Sequence, residues 1–265
     1  MPEITIGQYI PGNSAIHRLD PRTKILITFV FMVLLFVIDD FRGYVFPIVF
    51  IAIASLLSGI SVKYMLRGLR PLLVIILLTF ALNLFMIKGR VIYEIGPLNI
   101  TYEGLYQGTF MVLRLVLLIV GTSLLTLTTS PIILTDGIES LLKPFSKVGV
   151  PAHELAMMMT IALRFIPTLM EETEKIMKAQ MARGADFSSG NLVKRAQSMV
   201  PLLVPLFISA FRRADDLAMA MESRCYRGGE NRTRMKVLKM TKADVWAFIA
   251  TGVLTAGCLA SRFLW

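Results

Sequence analysis

Five long apolar blocks constrain the fold of this chain more than any other feature of its sequence. They cover residues 21–38, 44–60, 71–87, 105–129 and 245–264. A bilayer core about 30 Å thick is crossed by about 20 helical residues, so these blocks have, or nearly have, the length of a transmembrane helix. Asp20 and Pro21 suit the N-cap and the first turn of the first helix. The sequence therefore predicts an all-α membrane protein with about five transmembrane helices.

The composition agrees with membrane insertion and argues against other classes. Of the 265 residues, 55% are hydrophobic, which exceeds the roughly 45–50% of soluble domains. The net charge of +10 would suit nucleic acid, but positive charge beside apolar blocks is more typical of membrane topology, so we expect no nucleic-acid partner. Cys225 and Cys258 lie in different segments and predict no disulfide or metal motif. We also expect no cleaved signal peptide.

The charges of the loops between the blocks predict how the chain is oriented. Lysine and arginine are in excess in residues 1–24 and 61–70, whereas acidic residues offset them in the loops at 39–43 and 88–104. Cytoplasmic loops carry the positive excess, so the N-terminus and the 61–70 loop are predicted to be cytoplasmic. Counting spans then places residues 130–244 in the cytoplasm and the C-terminus outside. This longest loop holds 17 lysines and arginines against 12 aspartates and glutamates.

The 130–244 region has the periodicity of helices rather than of an irregular loop. Apolar residues recur at i, i+3, i+4 and i+7 over residues 153–181 and again over 192–221, which is the pattern of amphipathic helices. A shorter helix is predicted near 132–145. Pro201 and Pro205 are expected to bend or interrupt the last long helix. The region thus adds about three amphipathic helices.

These patterns divide the chain into three predicted parts. Residues 1–130 hold the N-terminal segment and four transmembrane helices, residues 131–244 form the cytoplasmic amphipathic region, and residues 245–265 form the last transmembrane helix. Between the two long amphipathic helices, residues 184–190 are rich in glycine and serine and are predicted to form a turn.

The two long amphipathic helices end with similar tripeptides. One is Ala182, Arg183 and Gly184, and the other is Ser223, Arg224 and Cys225, with the two arginines 41 positions apart. In one interpretation, each arginine only complements the helix macrodipole, worth about 0.3–1 kcal/mol, and Gly184 is a C-cap. In the other, each arginine projects into a groove of a partner protein, where loss of such an anchor costs about 2 kcal/mol or more. The residues alone leave both interpretations open.

No motif for catalysis, nucleotide binding or metal binding is present in the sequence. The chain has no GxxxxGKS, GxxxxGKT, HExxH or GxSxG pattern and no Cys/His cluster, so we expect no cofactor, no metal and no enzymatic activity of its own. His17 and His153 are isolated and are expected to be structural. Arg114 is predicted to snorkel to the membrane interface, although it is also a candidate for a functional path. Asn83 is expected to form a hydrogen bond between helices.

Four segments of the chain together resemble the signature of one protein family. They are GQYIPGNSAIHRLDPRTK at residues 7–24, ALRFIPT at 162–168, the Ala-Arg-Gly motif at 182–184, and FRRADDLAMAMESRCY at 211–226. The chain resembles the transmembrane T component of energy-coupling factor transporters, which are vitamin and metal uptake relatives of ABC importers. In the second arginine motif, Ser223 and Cys225 stand where the family pattern has alanine and glycine.

The resemblance implies a mechanism and a set of partners. Two ABC ATPase subunits, forming a homodimer or a heterodimer, bind the tips of the long helices through residues 182–184 and 223–225. A separate substrate-binding membrane subunit packs on the chain and selects the cargo, a vitamin or another micronutrient. In the L-shaped molecule that the family implies, the amphipathic helices act as coupling helices that pass ATPase motion to that subunit. The chain itself is then non-catalytic, because the partners hydrolyse the ATP.

Two other function classes are the alternatives, a stand-alone secondary transporter or channel and a membrane enzyme. A secondary transporter is expected to show inverted repeats and interrupted midplane helices, and a membrane enzyme is expected to show a catalytic constellation. The sequence shows neither feature. The expected location is the cell membrane, which the chain crosses several times in contact with the lipid bilayer.

Overall fold

The computed structural model describes residues 9–95, 98–187, 191–228 and 238–263 of the chain. Nine α-helices lie within these described residues: α1 (Pro21–Val37), α2 (Val45–Ser58), α3 (Val62–Arg67), α4 (Leu73–Met86), α5 (Tyr102–Thr128), α6 (Pro131–Leu142), α7 (Ala152–Ala182), α8 (Leu192–Ser223) and α9 (Lys242–Phe263). Short 3-10 helices join them at Phe41–Tyr44, Arg70–Leu72 and Lys143–Val148. The predicted all-α membrane class is confirmed.

Four helical segments of the described chain are long and apolar enough to cross a membrane. They are Phe41–Ser58, Val62–Met86, Tyr102–Thr128 and Lys242–Ser261. The helix α1 is apolar but has 17 residues, which rise about 25 Å at 1.5 Å per residue. Length and composition therefore support four of the five predicted spans. The remaining one, the predicted first span, is the helix α1, which is shorter than these four segments. It begins as predicted, because Pro21 is its first residue and Asp20 Oδ1 accepts a hydrogen bond from Arg22 N–H at 2.9 Å.

The segment at residues 61–70 is helical and not the loop that its charges suggested. It contains α3, and the 3-10 helix Arg70–Leu72 connects it to α4, so Val62–Met86 is a helical segment of 25 residues. Pro71 has no N–H to donate and tightens the helix locally rather than ending it. The basic residues Lys63 and Arg67 therefore lie on a helix.

A second difference lies in the segment that was predicted as the 88–104 loop. It forms a two-stranded antiparallel hairpin of β1 (Val91–Ile95) and β2 (Leu98–Thr101), in which Ile95 pairs with Leu98 and Glu94 pairs with Asn99. The β-branched residues of both strands favour extended backbone. Residues 96 and 97, between the strands, lie outside the described part of the chain.

The helix α1 packs on other membrane helices along one face, although it is shorter than the four long apolar segments. It packs against α5 and α9. One apolar cluster of buried side chains joins these helices to α2: Phe31, Leu34, Leu35, Ile38, Tyr44, Ile51, Phe110, Leu117, Leu254 and Cys258. The buried face of α1 therefore fixes its position against these helices, while Phe29 and Phe36 on another face are 60% exposed.

The chain separates into two compact units, Met1–Leu141 with Lys236–Trp265, and Leu142–Met235. Most of α6 belongs to the first unit, whereas α7 and α8 make up most of the second and pack against each other. Pro201 and Pro205, which were expected to bend or interrupt the first half of the last long amphipathic helix, do not interrupt it, since α8 continues through both. Of the predicted turn at 184–190, residues 188–190 lie outside the described residues.

Candidate functional site

The first candidate site is the C-terminal end of α7, here called the first tip (Ala182–Gly184). Arg183 is the C-cap residue, with φ −88° and ψ 6°, and Gly184 follows with φ +89°. Gly184 N–H donates to Met181 O at 3.0 Å, and Ala185 N–H donates to Gln180 O at 3.0 Å. This pair of bonds is the Schellman motif, which satisfies carbonyls that a helix end leaves without partners.

The C-terminal end of α8, here called the second tip (Ser223–Cys225), has the same backbone geometry. Arg224 is the C-cap residue, with φ −92° and ψ 13°. Cys225 N–H donates to Glu222 O at 2.8 Å, and Tyr226 N–H donates to Met221 O at 3.0 Å, so this end is also a Schellman motif. The two arginines therefore stand at the same point of the same local structure.

The two tips differ at the residue after the arginine. This residue adopts a left-handed conformation in both, which Gly184 does without steric cost because it has no Cβ. Cys225 has φ +57° and is the only residue other than glycine with a positive φ among the described residues. An L residue in this conformation costs about 1–2 kcal/mol. The second tip thus keeps its geometry against local strain.

Both tips are exposed, and their arginines are available for another molecule. All three residues of each tip are exposed to solvent. Within the described residues, neither the Arg183 nor the Arg224 guanidinium makes a hydrogen bond or an ion pair. A guanidinium is a planar fork of five donors that fits carboxylates and carbonyl oxygens. Small neighbours such as Ala182 and Ser223 leave room for a second backbone to approach.

A polar brace, which sequence reasoning missed, joins α7 to α8 away from the tips. Glu172 of α7 accepts hydrogen bonds from the Ser209 hydroxyl and, at 2.6 Å, from Arg213 Nη2 of α8. The Ser209 hydrogen bond and the Arg213 charge together lower the pKa of Glu172 below its ordinary value, against a smaller opposing effect of burial. Gln180 Nε2 also donates to Pro201 O at 3.4 Å. The brace thus adds polar contacts between two helices that also pack against each other.

The apolar faces of α7 and α8 remain largely uncovered by the chain itself. Phe207 and Phe211 are 60% and 69% exposed. Other exposed apolar side chains on the two helices are Leu155, Met158, Met159, Ile166, Met199, Val200, Leu203, Val204 and Ile208. Contiguous exposed apolar surface on this scale marks contact with another protein or with a membrane.

The polar residues that were singled out in the membrane helices have internal partners. Arg114, which was predicted to snorkel to the membrane interface, lies near the middle of α5, where it donates to Tyr44 Oη at 3.0 Å and to Ile38 O at 3.0 Å, and stacks on Phe110. Its role there is to close the C-terminal end of α1. The two hydrogen-bond partners, Tyr44 and Ile38, lie 70 and 76 residues earlier in the chain, beyond the reach of any local sequence signal.

Two further polar residues hold local structure. Asn83 Nδ2 donates to Thr79 O at 2.8 Å, a bond within α4 instead of the predicted one between helices. The His17 ring lies between the Ser14 hydroxyl, at 2.6 Å from Nδ1, and Ile10 O, at 3.1 Å from Nε2. Among the described residues, no group of three or more His, Cys, Asp or Glu side chains is placed to hold a metal ion.

Comparison with known proteins places this geometry in a family. Residues 12–235 match the CbiQ family, described as cobalt transport protein. The chain belongs to this family. Its relatives include proteins named energy-coupling factor transporter transmembrane protein EcfT, and the one from Thermosediminibacter oceani is 84% identical over 265 residues, covering 100% of both chains. The resemblance seen in the sequence is thereby confirmed.

More distant relatives carry the same name. The protein from Clostridium kluyveri is 59% identical over 265 residues, covering 99% of this chain and 98% of its own length. The protein from Bacillus subtilis is 49% identical over 257 residues, covering 97% of each chain. Together with the apolar helices, these relatives show that this CbiQ-family member is a multi-pass transmembrane component of energy-coupling factor transporters.

Proposed function

We propose that this subunit couples ATP hydrolysis by two partner ATPases to the uptake of a vitamin or another micronutrient. One ATPase subunit binds the first tip and the other binds the second, and the pair is a homodimer or a heterodimer. A separate substrate-binding membrane subunit selects the cargo. The chain transmits motion between these partners and has no catalytic role of its own.

The single observation that carries the proposal is the matching geometry of the two tips. Two similar ATPase subunits need two similar contact points on this chain. Arg183 and Arg224 provide them, because they occupy the same position of the same motif. The exposed guanidinium groups can donate to carboxylates or carbonyl oxygens of a groove. The polar brace between α7 and α8 allows a displacement of one tip to be transmitted to the other helix.

The exposed apolar faces of α7 and α8 support contact with the substrate-binding subunit. Methionines such as Met158, Met159 and Met199 are frequent on these faces, and flexible methionine surfaces repack against different partners. The proposed parts are a membrane part at residues 1–130, a cytoplasmic coupling part at 131–244, and a last membrane helix at 245–265. The proposed orientation has the N-terminus and the coupling part in the cytoplasm and the C-terminus outside.

The test of coupling is the double charge reversal Arg183→Glu with Arg224→Glu. We expect the protein to insert normally, to lose co-purification with the ATPases, and to lose ATP-dependent uptake in reconstituted vesicles. The matched control is Lys178→Glu with Arg212→Glu, which makes the same change of charge at exposed positions on the same two helices. Normal uptake by the tip variant would refute the proposal, as would equal loss in the control.

The proposed orientation has its own test. A reporter that is active only in the cytoplasm is fused to the C-terminus, and a second copy is fused within the 130–244 region. We expect activity from the second fusion alone. Activity of the C-terminal fusion would overturn the proposed orientation, since α1 would then not complete a crossing.

A further inference from the structure

Lys24, in the first turn of α1, is buried and holds the end of α5. It is 7% exposed, and its Nζ donates to Thr128 O at 3.1 Å, to Thr129 Oγ1 at 3.2 Å and to His17 O at 3.2 Å. An ammonium group has three donors, and these bonds use all of them. The first turn of α1 is therefore fastened to the point where the chain leaves α5.

Asp244, in the first turn of α9, is fully buried and holds the residue that caps α1. Its Oδ2 accepts from Thr241 N–H at 2.7 Å and from the Thr241 hydroxyl at 2.8 Å, so it caps its own helix. Its Oδ1 accepts from Asp20 N–H at 2.8 Å. One carboxylate thus links the point where the chain returns to the membrane helices with the start of α1.

The helix α6 approaches the same turn through Gly137. A Cβ on Gly137 would lie 3.0 Å from Pro21 Cβ and 3.1 Å from Ile25 Cδ1. A glycine at this point lets the two backbones come close together. The helix that leads from the first compact unit towards the second therefore rests on the first turn of α1 as well.

These contacts meet at one place, here called the α1 junction (Asp20, Lys24, Thr129 and Asp244). The junction lies in the first compact unit, next to both chain connections to the second. The outgoing chain runs from Thr129 through α6 to the unit boundary after Leu141. The returning chain re-enters the first unit at Lys236, shortly before α9 begins at Lys242. Apolar contacts would hold the helix ends without the desolvation cost of buried charge. Compared with apolar contacts, charged hydrogen bonds are directional, so they fix the orientation of the bonded helix ends relative to each other.

We infer that Lys24 and Asp244 are positioning residues that transfer movement of the second compact unit to α1 and, through α1, to the helices packed around it. The inference rests on the proposed coupling function. It assigns the mechanical connection to four named residues that do not touch the tips. The junction variants are expected to keep the ATPases bound and active while transport fails.

The test uses the complete transporter in sealed vesicles, with ATP hydrolysis and uptake measured on the same preparation. Tritiated riboflavin is the uptake probe, with a riboflavin-binding membrane subunit included. For K24M and D244N, we expect an unchanged rate of ATP hydrolysis and roughly tenfold less uptake per ATP, within the range of ordinary allosteric couplings. Unchanged uptake per ATP in both variants would overturn the inference.

Two additional variants separate transfer of movement from simple balance of buried charge. The double variant K24M with D244N removes one buried positive and one buried negative charge together, so the net buried charge is unchanged, and it is therefore expected to fold. If it restores uptake per ATP to the unaltered level, the junction only balances charge and the inference fails. The mild variant T129V removes one acceptor of Lys24 and is expected to give a smaller fall in the same ratio, and no fall would count against the junction.

The failure of the inference is distinguishable from failure of the proposed function. If the unaltered transporter shows no uptake that depends on ATP, the coupling function itself is wrong. If Arg183→Glu with Arg224→Glu loses the ATPases while the junction variants transport normally, coupling stands and only the α1 junction is refuted. The inference predicts that junction variants retain the ATPases.

Discussion

The first and second tips have the same backbone and different local energies. Both end in a Schellman motif with arginine at the C-cap, but the left-handed residue is Gly184 in one and Cys225 in the other. Glycine adopts this conformation freely, whereas cysteine adopts it with strain. The shared geometry therefore does not follow from one shared tripeptide. It is the position of the arginine that the two tips have in common.

The largest expected effect tests whether that common position matters. Arg183→Ala and Arg224→Ala, made separately, are each expected to weaken ATPase binding by about 2 kcal/mol or more, which is roughly thirtyfold. The two losses should be similar because the tips have the same geometry. Binding of purified ATPases to the detergent-solubilised subunit measures both.

A much smaller loss would favour the macrodipole interpretation. A dipole contact contributes about 0.3–1 kcal/mol, so binding would change about fivefold or less. Lys178→Ala, on an exposed position of the same helix, is the control for removal of one positive charge. A large loss at one tip only would break the proposed equivalence.

The next effect comes from changing the left-handed residue of the first tip. Gly184→Val places a β-branched residue at φ +89° and should destabilise the end of α7 by about 1–2 kcal/mol. Faster hydrogen exchange of the Ala185 N–H, which closes the motif, reports this loss. Cys225→Val is the matched variant, and its effect should be smaller because Cys225 already carries a strained Cβ. Equal destabilisation by Gly184→Val and Cys225→Val would contradict the strain that we assign to Cys225.

The reverse change should relieve the strain of the second tip. Cys225→Gly is expected to stabilise the end of α8 by about 0.5–1 kcal/mol, because part of the relief is offset by the greater freedom of glycine when unfolded. Slower hydrogen exchange of the Tyr226 N–H measures this stabilisation. If Gly184→Cys proves harmless while Cys225→Gly is destabilising, the explanation of the difference between the tips is wrong.

The smallest effect concerns the polar brace that joins α7 to α8 away from the tips. The folded pKa of Glu172 is lowered, so the brace stabilises above the unfolded pKa of about 4.3 and is lost as pH falls through the folded pKa. The pair is partly exposed, so its contribution is about 0.2–1 kcal/mol. Thermal unfolding at several pH values, compared with Glu172→Gln, should show this loss in the unaltered chain only. A parallel decline in both proteins would place the pH dependence elsewhere.

Helix periodicity in the sequence predicted well the two long helices that carry the tips. The expected helices at 153–181 and 192–221 correspond to Ala152–Ala182 and Leu192–Ser223, because a long apolar stripe repeats the same signal many times. One of the two interpretations also predicted that Gly184 ends α7, and it does so as the left-handed residue that follows the C-cap Arg183. The left-handed conformation of Cys225 was not predicted, because a cysteine in a sequence carries no signal for a positive φ.

The membrane unit shows where local patterns stop being sufficient. The basic residues of 61–70 indicated a loop, yet neighbouring turns keep the segment helical. Lys24 was counted as a loop charge that sets topology, whereas the structure buries it against Thr128 and Thr129. Such contacts join residues more than 100 positions apart in the chain, and a single sequence has no local signal for them.

The most direct measurement of the central claim uses the two native cysteines. Cys225 is exposed at the second tip, and Cys258 is buried among the membrane helices and acts as an internal control. A charged maleimide should label Cys225 rapidly in the isolated subunit. When the ATPases are bound, labelling of Cys225 is predicted to fall to the level of Cys258. Equal labelling of Cys225 with and without the ATPases would contradict the claim that the second tip lies in an ATPase groove.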